Sequence, residues 1–307
     1  MYHFIINPHS CTGKGLHTWH QIKAELDRLS VPYESYLTTH PGHGKELAEH
    51  LFTQHAGILK VVIVGGDGTL NEIINGIPDM ERAHIGYIPA GSSNDLGRSL
   101  GLSKNPIANL TRILNSSSLH LMDIGLASTQ DGKLQNRFLV SSGLGYDAYV
   151  CVEALRSPLK TFLNHLRLGK LTYIIIAIMQ LFARPFMEGM ISADGSEFKH
   201  YKKLLLITSM IQKYEGGGMK MSPSADPNDG KLSICFVHGL SKLRILTLLP
   251  FLLFGKHTGF NGVETFDCEE LRVKLTTPHA IHLDGECPGR YNEVTVTCLP
   301  NKIQLLQ

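Results

Sequence analysis

The run Val61-Val62-Ile63-Val64-Gly65-Gly66-Asp67-Gly68-Thr69-Leu70-Asn71-Glu72 decides the reading of this 307-residue chain. An apolar stretch stops at three glycines that enclose one carboxylate, the pattern of a buried strand delivering its C-terminal end onto an anion. Glycine lets backbone N–H groups approach a phosphate without a Cβ in the way. A helix expected to begin near Thr69 aims the positive end of its dipole at the same place. A second stretch follows at short range, Ile88-Pro89-Ala90-Gly91-Ser92-Ser93-Asn94-Asp95-Leu96, again an apolar strand running into glycine, hydroxyls and an Asn-Asp helix start. Two phosphate-type loops at the ends of successive strands make nucleotide binding the leading reading.

Around these loops the first 120 or so residues alternate strands and helices: strands at 2–6, 33–37, 59–64 and 84–88, helices at 16–29, 44–52, 70–75 and 94–100. Such alternation predicts an α/β domain with a parallel sheet, whose ligands bind at the C-terminal ends of the strands. After Asp123-Ile124-Gly125 the pattern turns β-rich, with strands expected at 136–142, 186–193, 203–208, 232–236, 272–276, 280–283 and 293–299. This half reads as an antiparallel sandwich with a helical insertion over about 147–184. The domains are therefore 1–125 and 126–299, with the short run at 300–307 free to return to either.

Bulk properties exclude more than they select. A content of 43% hydrophobic and 18% charged residues is that of a globular protein, and a net charge of +2 argues for no nucleic-acid partner. Six cysteines are scattered without a zinc-type spacing and read as reduced thiols. Residues 1–8 lack the features of a secretory signal, so the chain is expected on the cytosolic side. The apolar stretches 171–182 and 245–254, the latter containing Pro250, are too short to span a bilayer. They are either internal helices packed on a sheet or a greasy lip for meeting a membrane surface, the second supported by Lys160, His165, Arg167 and Lys170 just upstream.

Further polar elements fall at strand ends. Asn7-Pro8-His9-Ser10-Cys11-Thr12-Gly13-Lys14-Gly15 follows the first strand without Walker spacing; it is a plain turn or a third phosphate loop with Lys14 as its cation. Thr38 and Thr39 end the second strand and offer a hydroxyl to a nucleotide or an N-cap to a helix. Asp284-Gly285-Glu286 follows an apolar strand. With extended backbone both carboxylates converge on one point, as a general base requires, whereas an Asp-Gly hairpin turn is the alternative. Asp226-Pro227-Asn228-Asp229-Gly230-Lys231 is a cation loop or a hairpin turn, and Gly216-Gly217-Gly218 before Met219-Lys220-Met221 is a flexible loop.

Together, Asn7-Pro8, Thr38 before Gly42-His43, the two glycine loops, Asp123-Ile124-Gly125, Asp229-Gly230 and Leu283-Asp284-Gly285-Glu286 resemble the diacylglycerol kinase catalytic-domain family. The likeness is to its soluble bacterial lipid kinases, relatives of sphingosine and ceramide kinases and of the NAD kinase superfamily, and it covers nearly the whole chain. It implies an NAD kinase-like first domain that binds ATP through Asn7, Thr38, Gly65, Gly66, Asp67, Gly68, Thr69, Leu70, Asn71 and Ser92, the last standing where relatives often carry Thr. It implies Glu286 as the proton acceptor, with Asp284 as its partner or as the base itself. Asp67 and Asp123 then belong to the network around a catalytic Mg²⁺, and a structural Mg²⁺ is held by Asp229 and the carbonyls of Asp226 and Lys231. The implied reaction is phosphoryl transfer from ATP to a lipid hydroxyl, diacylglycerol before other lipids, to give phosphatidic acid. Peripheral contact at the inner membrane face and a homodimer go with it. Rival readings are a kinase of a soluble acceptor such as NAD and a nucleotide- or lipid-binding module without turnover.

Overall fold

The computed structural model describes residues 1–156 and 169–307. Lys160, His165 and Arg167 lie outside the described residues, as does the side chain of Lys170. The chain divides into two compact units. The first comprises Met1–Ile124, Pro227–Asp229 and Leu299–Gln307, the second Gly125–Asp226 and Gly230–Cys298. The final run thus belongs with the N-terminal unit.

In the first unit β1 (Tyr2–Ile6), α1 (Ser10–Arg28), β2 (Tyr33–Leu37), α2 (His43–Gln54), β3 (Leu59–Gly65), α3 (Asp67–Gly76) and β4 (Ala83–Pro89) alternate along the chain. The sheet order is β2-β1-β3-β4, with every pair parallel, and Gln304 and Leu305 add a parallel partner beside His84 and Ile85 of β4. Strands buried on both faces read as continuous apolar runs, which is why 61–64 shows no alternation. Phe4, Ile6, Val62 and Val64 pack with Trp19, Ile22 and Leu26 of α1. On α3, Gly76 lies where a Cβ would come within 2.3 Å of the Lys45 carbonyl oxygen of α2, so only glycine lets these helices meet.

Helix α1 differs from the expected 16–29. A turn begins at Ser10, but Cys11, Thr12 and Gly13 are left-handed with φ of 46°, 57° and 90°, and regular helix starts only after them. The short helix α4 (Asp95–Ser99) follows β4. Helix α5 (Pro106–Leu114) was not expected from the sequence, although Asn105 caps it by accepting from the Ile107 N–H at 3.0 Å and Pro106 opens its first turn.

Strand β5 (Leu119–Ser128) runs through the residues where the pattern changes, so the expected boundary falls inside a strand. Its end pairs with β6 (Gln135–Phe138). The strand expected at 136–142 is in fact two, β6 and β7 (Ser141–Gly145), broken at residues 139–140. Next come α6 (Tyr146–Arg156), α7 (Gly169–Ala183), β8 (Met187–Ala193), β9 (Lys199–Met210), β10 (Leu232–His238), α8 (Lys242–Leu253), β11 (Val263–Cys268), β12 (Glu270–Leu283) and β13 (Glu286–Leu306). The strands expected at 272–276 and 280–283 are one long strand, β12, with a register shift between Lys274 and His279.

That length has a purpose. β12 pairs with β7 through residues 281–283 and with β8 through 271–275, while β9 pairs with β7 and with β8 at its two ends. β7, β9, β8 and β12 therefore close on one another within the antiparallel, β-rich unit. Leu144, Leu204, Ile207, Val273, Ile281 and Leu283 belong to its core.

The two apolar stretches are amphipathic by burial. Ile176 and Leu181 of α7 and Ile245 and Leu248 of α8 are buried, whereas Met179, Phe182, Leu243, Leu253 and Phe254 are at least half exposed. Lys242 joins the helices, its Nζ donating to the carbonyls of Phe182 at 3.0 Å and Arg184 at 2.8 Å. Among the described residues no helix is long and apolar enough to cross a membrane.

Candidate active site

Because β1 to β4 are parallel, the chain leaves all four from one edge, and its loops gather there. The loops after β3 and β4 meet glycine against glycine. A Cβ on Gly91 would lie 2.5 Å from Gly66 Cα, and one on Gly65 would lie 2.7 Å from the Thr69 side chain. The Ala90 N–H donates to Gly65 O at 2.7 Å. Helix α3 opens on Gly66 as its N-cap, which contributes no side-chain cap, leaving the helix start suited to an anion. The loop after β1 joins them, since Asn7 Nδ2 donates to Thr69 Oγ1 at 2.9 Å. Gly15 is required by this loop, because a Cβ there would fall 2.0 Å from Asn7 O.

Asp67 ties the third loop to the fourth. Its Oδ2 accepts from the Asp95 N–H at 2.8 Å and its Oδ1 from the Leu96 N–H at 3.4 Å, so it caps α4. Asn94, left-handed at φ 50°, clasps Gly91 with two bonds of 2.8 Å, one accepted and one donated. Glu72 braces the loop after β2 by accepting from the N–H groups of Gly42 at 2.9 Å and Gly44 at 3.2 Å. Thr38 sits nearly buried at the end of β2, its N–H donating to Ile6 O at 2.8 Å.

Asn7, Thr38, Gly65, Gly66, Asp67, Gly68 and Thr69 thus belong to one group of loops, and Ser92 and Lys14 are exposed on two of them. Leu70 and Asn71 are buried in α3, and the Leu70 N–H closes the first helical turn on Gly66 O. Asp95 was read only as a helix start; it is 4% exposed, donates to Asp67 and pairs with Arg98 at 2.9 Å. The signal was present in the Asp95 carboxylate directly after Asn94.

Asp123 is fully buried, its Oδ1 accepts from the Asn301 N–H at 2.8 Å, and its own N–H donates to Pro227 O at 2.8 Å. Asn228 Nδ2 donates to Leu121 O, so the 227–229 turn is pinned to β5. Asp123 is therefore a support for the loop that carries Asp226, Asp229 and Lys231. Those three are exposed.

In the second unit the expectation for residues 284–286 is corrected. Asp284 and Gly285 have φ of 51° and 88° and form the tight turn between β12 and β13, with Leu283 paired to Glu286, so the carboxylates do not share an extended face. The Asp284 carboxylate is spent on backbone: Oδ2 accepts from Leu139 N–H at 2.9 Å, and Oδ1 from Val140 at 2.8 Å and Ser141 at 3.0 Å. This is what breaks the strand at 139–140. Glu286 begins β13 exposed.

Behind the hairpin lies a buried polar cluster that sequence reading missed. His282 Nε2 is 3.2 Å from Asp147 Oδ2, and Glu215 brings a third ionisable group within 4.8 Å. Burial works against the second proton of His282, but Asp147, Glu215 and Asp284 hold it up to about 9. The Gly285 N–H, 3.3 Å from Nδ1, is a contact that the protonated ring gives up. Gly143 makes room for the pair, since a Cβ there would meet Asp147 Oδ2 at 1.7 Å. The 216–218 segment, expected as a flexible loop, is closed by reciprocal Glu215–Met219 backbone bonds of 3.0 and 2.9 Å, and Met221 enters the core.

Comparison with known proteins matches the chain to two domain models. Residues 1–127 match the diacylglycerol kinase catalytic domain, and residues 140–307 the YegS C-terminal NAD kinase beta sandwich-like domain. YtlR of Bacillus subtilis (strain 168), named as a candidate lipid kinase, is 30% identical over 93% of both chains. The crystal structure of a candidate diacylglycerol kinase from Bacillus anthracis superposes with a TM-score of 0.75 at 19% identity, covering 99% of this chain and 96% of that one. An NAD kinase from Archaeoglobus fulgidus in complex with ATP has a TM-score of 0.55 at 14% identity, covering 100% and 94%.

Proposed function

Because the chain belongs to the diacylglycerol kinase catalytic-domain family, we propose that it transfers the γ-phosphoryl group of ATP to a membrane-lipid hydroxyl, converting diacylglycerol to phosphatidic acid. One observation carries the reading: loops from β1, β3 and β4 meet through Gly66–Gly91 and Asn7–Thr69 contacts, where side-chain-free backbone surrounds a helix start. Such a cradle suits the phosphates of ATP, with Gly65 to Thr69 and Ser92 around them and Thr38 at the edge.

In the proposed reaction Glu286 takes the proton of the acceptor hydroxyl, the oxygen forms its bond to Pγ, and the bond from Pγ to the β-phosphate oxygen breaks to release ADP. Exposure suits Glu286 to this, whereas Asp284, with three N–H groups on its carboxylate, positions the hairpin. Oxygen donors of Asp67 match the hard-ligand chemistry of Mg²⁺, and Asp229 with the Asp226 and Lys231 carbonyls would hold a second ion on the loop that Asp123 pins. Bound Mg²⁺ supplies neutralisation of phosphate charge. Asp67 in turn keeps the loop after β4 in register through Asp95.

A lipid acceptor is supported by the exposed Met179, Phe182, Leu243, Leu253 and Phe254 on two joined helices, a surface suited to peripheral contact with the inner membrane leaflet. The test is transfer of labelled γ-phosphate in mixed micelles to diacylglycerol, monoacylglycerol, sphingosine, ceramide and undecaprenol, with NAD as soluble control. Label in a diglyceride supports the proposal; label in NAD alone overturns it.

A further inference from the structure

We propose that His3, Glu34 and His55 form a binding site for a divalent transition metal of the zinc class, at the end of the parallel sheet opposite the phosphate loops. His3 and Glu34 are register partners on the adjacent parallel strands β1 and β2, so both project from the same side near the strand starts. His55 follows the last turn of α2 and brings its ring within 5.1 Å of His3, centroid to centroid. One ligand atom from each residue lies within 4.8 Å of the other two.

The details favour a metal over a simple ion pair. His3 is 2% exposed, and its buried Nδ1 has no hydrogen-bond partner, although Glu34 Oε2 stands 3.3 Å away. That separation matches the roughly 3.3–3.4 Å edge of a tetrahedron built on zinc–ligand bonds of 2.0–2.1 Å. His55 Nδ1 is 3.1 Å from Leu51 O, which fixes its proton there and leaves Nε2 as the ligand nitrogen. Glu34 is itself oriented by the Tyr36 hydroxyl, which donates to Oε2 at 2.6 Å. Burial keeps the His3 imidazole toward its neutral, ligating form. Two imidazoles and one carboxylate, with Glu34 exposed, leave a fourth position for water. Such an ion would staple β1, β2 and the end of α2 without touching the phosphate loops.

The test is titration of the full chain, stripped by chelation, with Co²⁺ as spectroscopic probe and with Zn²⁺ against a chromophoric chelator. One equivalent of Co²⁺ should give visible absorption typical of four-coordination and be displaced by Zn²⁺ but not by Mg²⁺. His55→Ala and Glu34→Gln should each weaken Zn²⁺ binding by about 100-fold or more, since loss of a ligand exceeds the loss of an outer partner. Zn²⁺ should raise the melting temperature of the wild type by a few degrees and leave that of His55→Ala unmoved. The cluster of exposed His40 and Glu46 with half-buried His43 is a separate candidate, so His43→Ala is the control and should leave the Co²⁺ spectrum and the Zn²⁺ affinity of the His3 site unchanged. Absence of stoichiometric uptake, uptake unaltered in both His55→Ala and Glu34→Gln, or uptake abolished by His43→Ala overturns the proposal.

Discussion

Replacing Asp284 by Asn separates the two carboxylates of the hairpin. The Asp284 carboxylate accepts three backbone N–H groups at 2.8–3.0 Å. Hydrogen bonds to a charged group contribute about 1.5–3 kcal/mol each. Asn keeps one oxygen for the Val140 and Ser141 donors, loses charge assistance there, and turns an NH₂ toward Leu139. The sum is a loss of about 2–4 kcal/mol, well short of three full bonds. Asn tolerates the left-handed φ of 51°, so the backbone adds little to the loss. For a unit of this size that corresponds to a melting temperature lower by roughly 5–12 °C. Glu286→Gln, at an exposed position, should leave stability within about 0.5 kcal/mol while reducing turnover by about 100-fold or more. Thermal unfolding and phosphoryl transfer measured on both variants decide the matter. If Asp284→Asn melts with the wild type and loses turnover as fully as Glu286→Gln, then Asp284 is the base and the division of roles drawn from the hairpin is wrong.

Other perturbations reach other parts of the account. Gly91→Ala places a methyl 2.5 Å from Gly66 Cα and should raise the KM for ATP by about tenfold or more; an unchanged KM would mean the loop contact has no part in nucleotide binding. His282 has its folded pKa raised from 6.5 to about 9, so its contribution to stability is full below pH 6.5 and is lost as pH rises through about 9. Urea unfolding should show that decline in the wild type and a flatter profile in His282→Gln. Leu243→Ser combined with Phe254→Ser removes two exposed apolar side chains, each able to contribute about 1.5–3 kcal/mol when buried, and should weaken vesicle binding by about tenfold or more without altering ATP affinity. Equal vesicle binding would remove the membrane role from this surface.

The parallel half was legible because its central strand β3 is apolar on both faces and its loops carry the glycines that close approach demands. What sequence could not place was whatever depends on distant backbone. The break at 139–140 and the tight turn at Asp284-Gly285 go together, since a hairpin-tip carboxylate collects amides far away in the chain. Asp123 holds Asn301 and Pro227, partners more than 100 residues away in the chain that no local pattern announces. The His282–Asp147 pair is 135 residues apart in sequence and carries no local signature. Strand β12 was divided in two because its register shift interrupts the alternation on which a strand is recognised.

Phosphoryl transfer to a lipid is tested by offering diacylglycerol micelles and NAD together to the enzyme with labelled ATP and then partitioning the products. Label in the lipid phase, matching the ADP formed and lost in Glu286→Gln, is the predicted result. Label in the aqueous dinucleotide, or transfer to lipid no greater than that of Glu286→Gln, would contradict it.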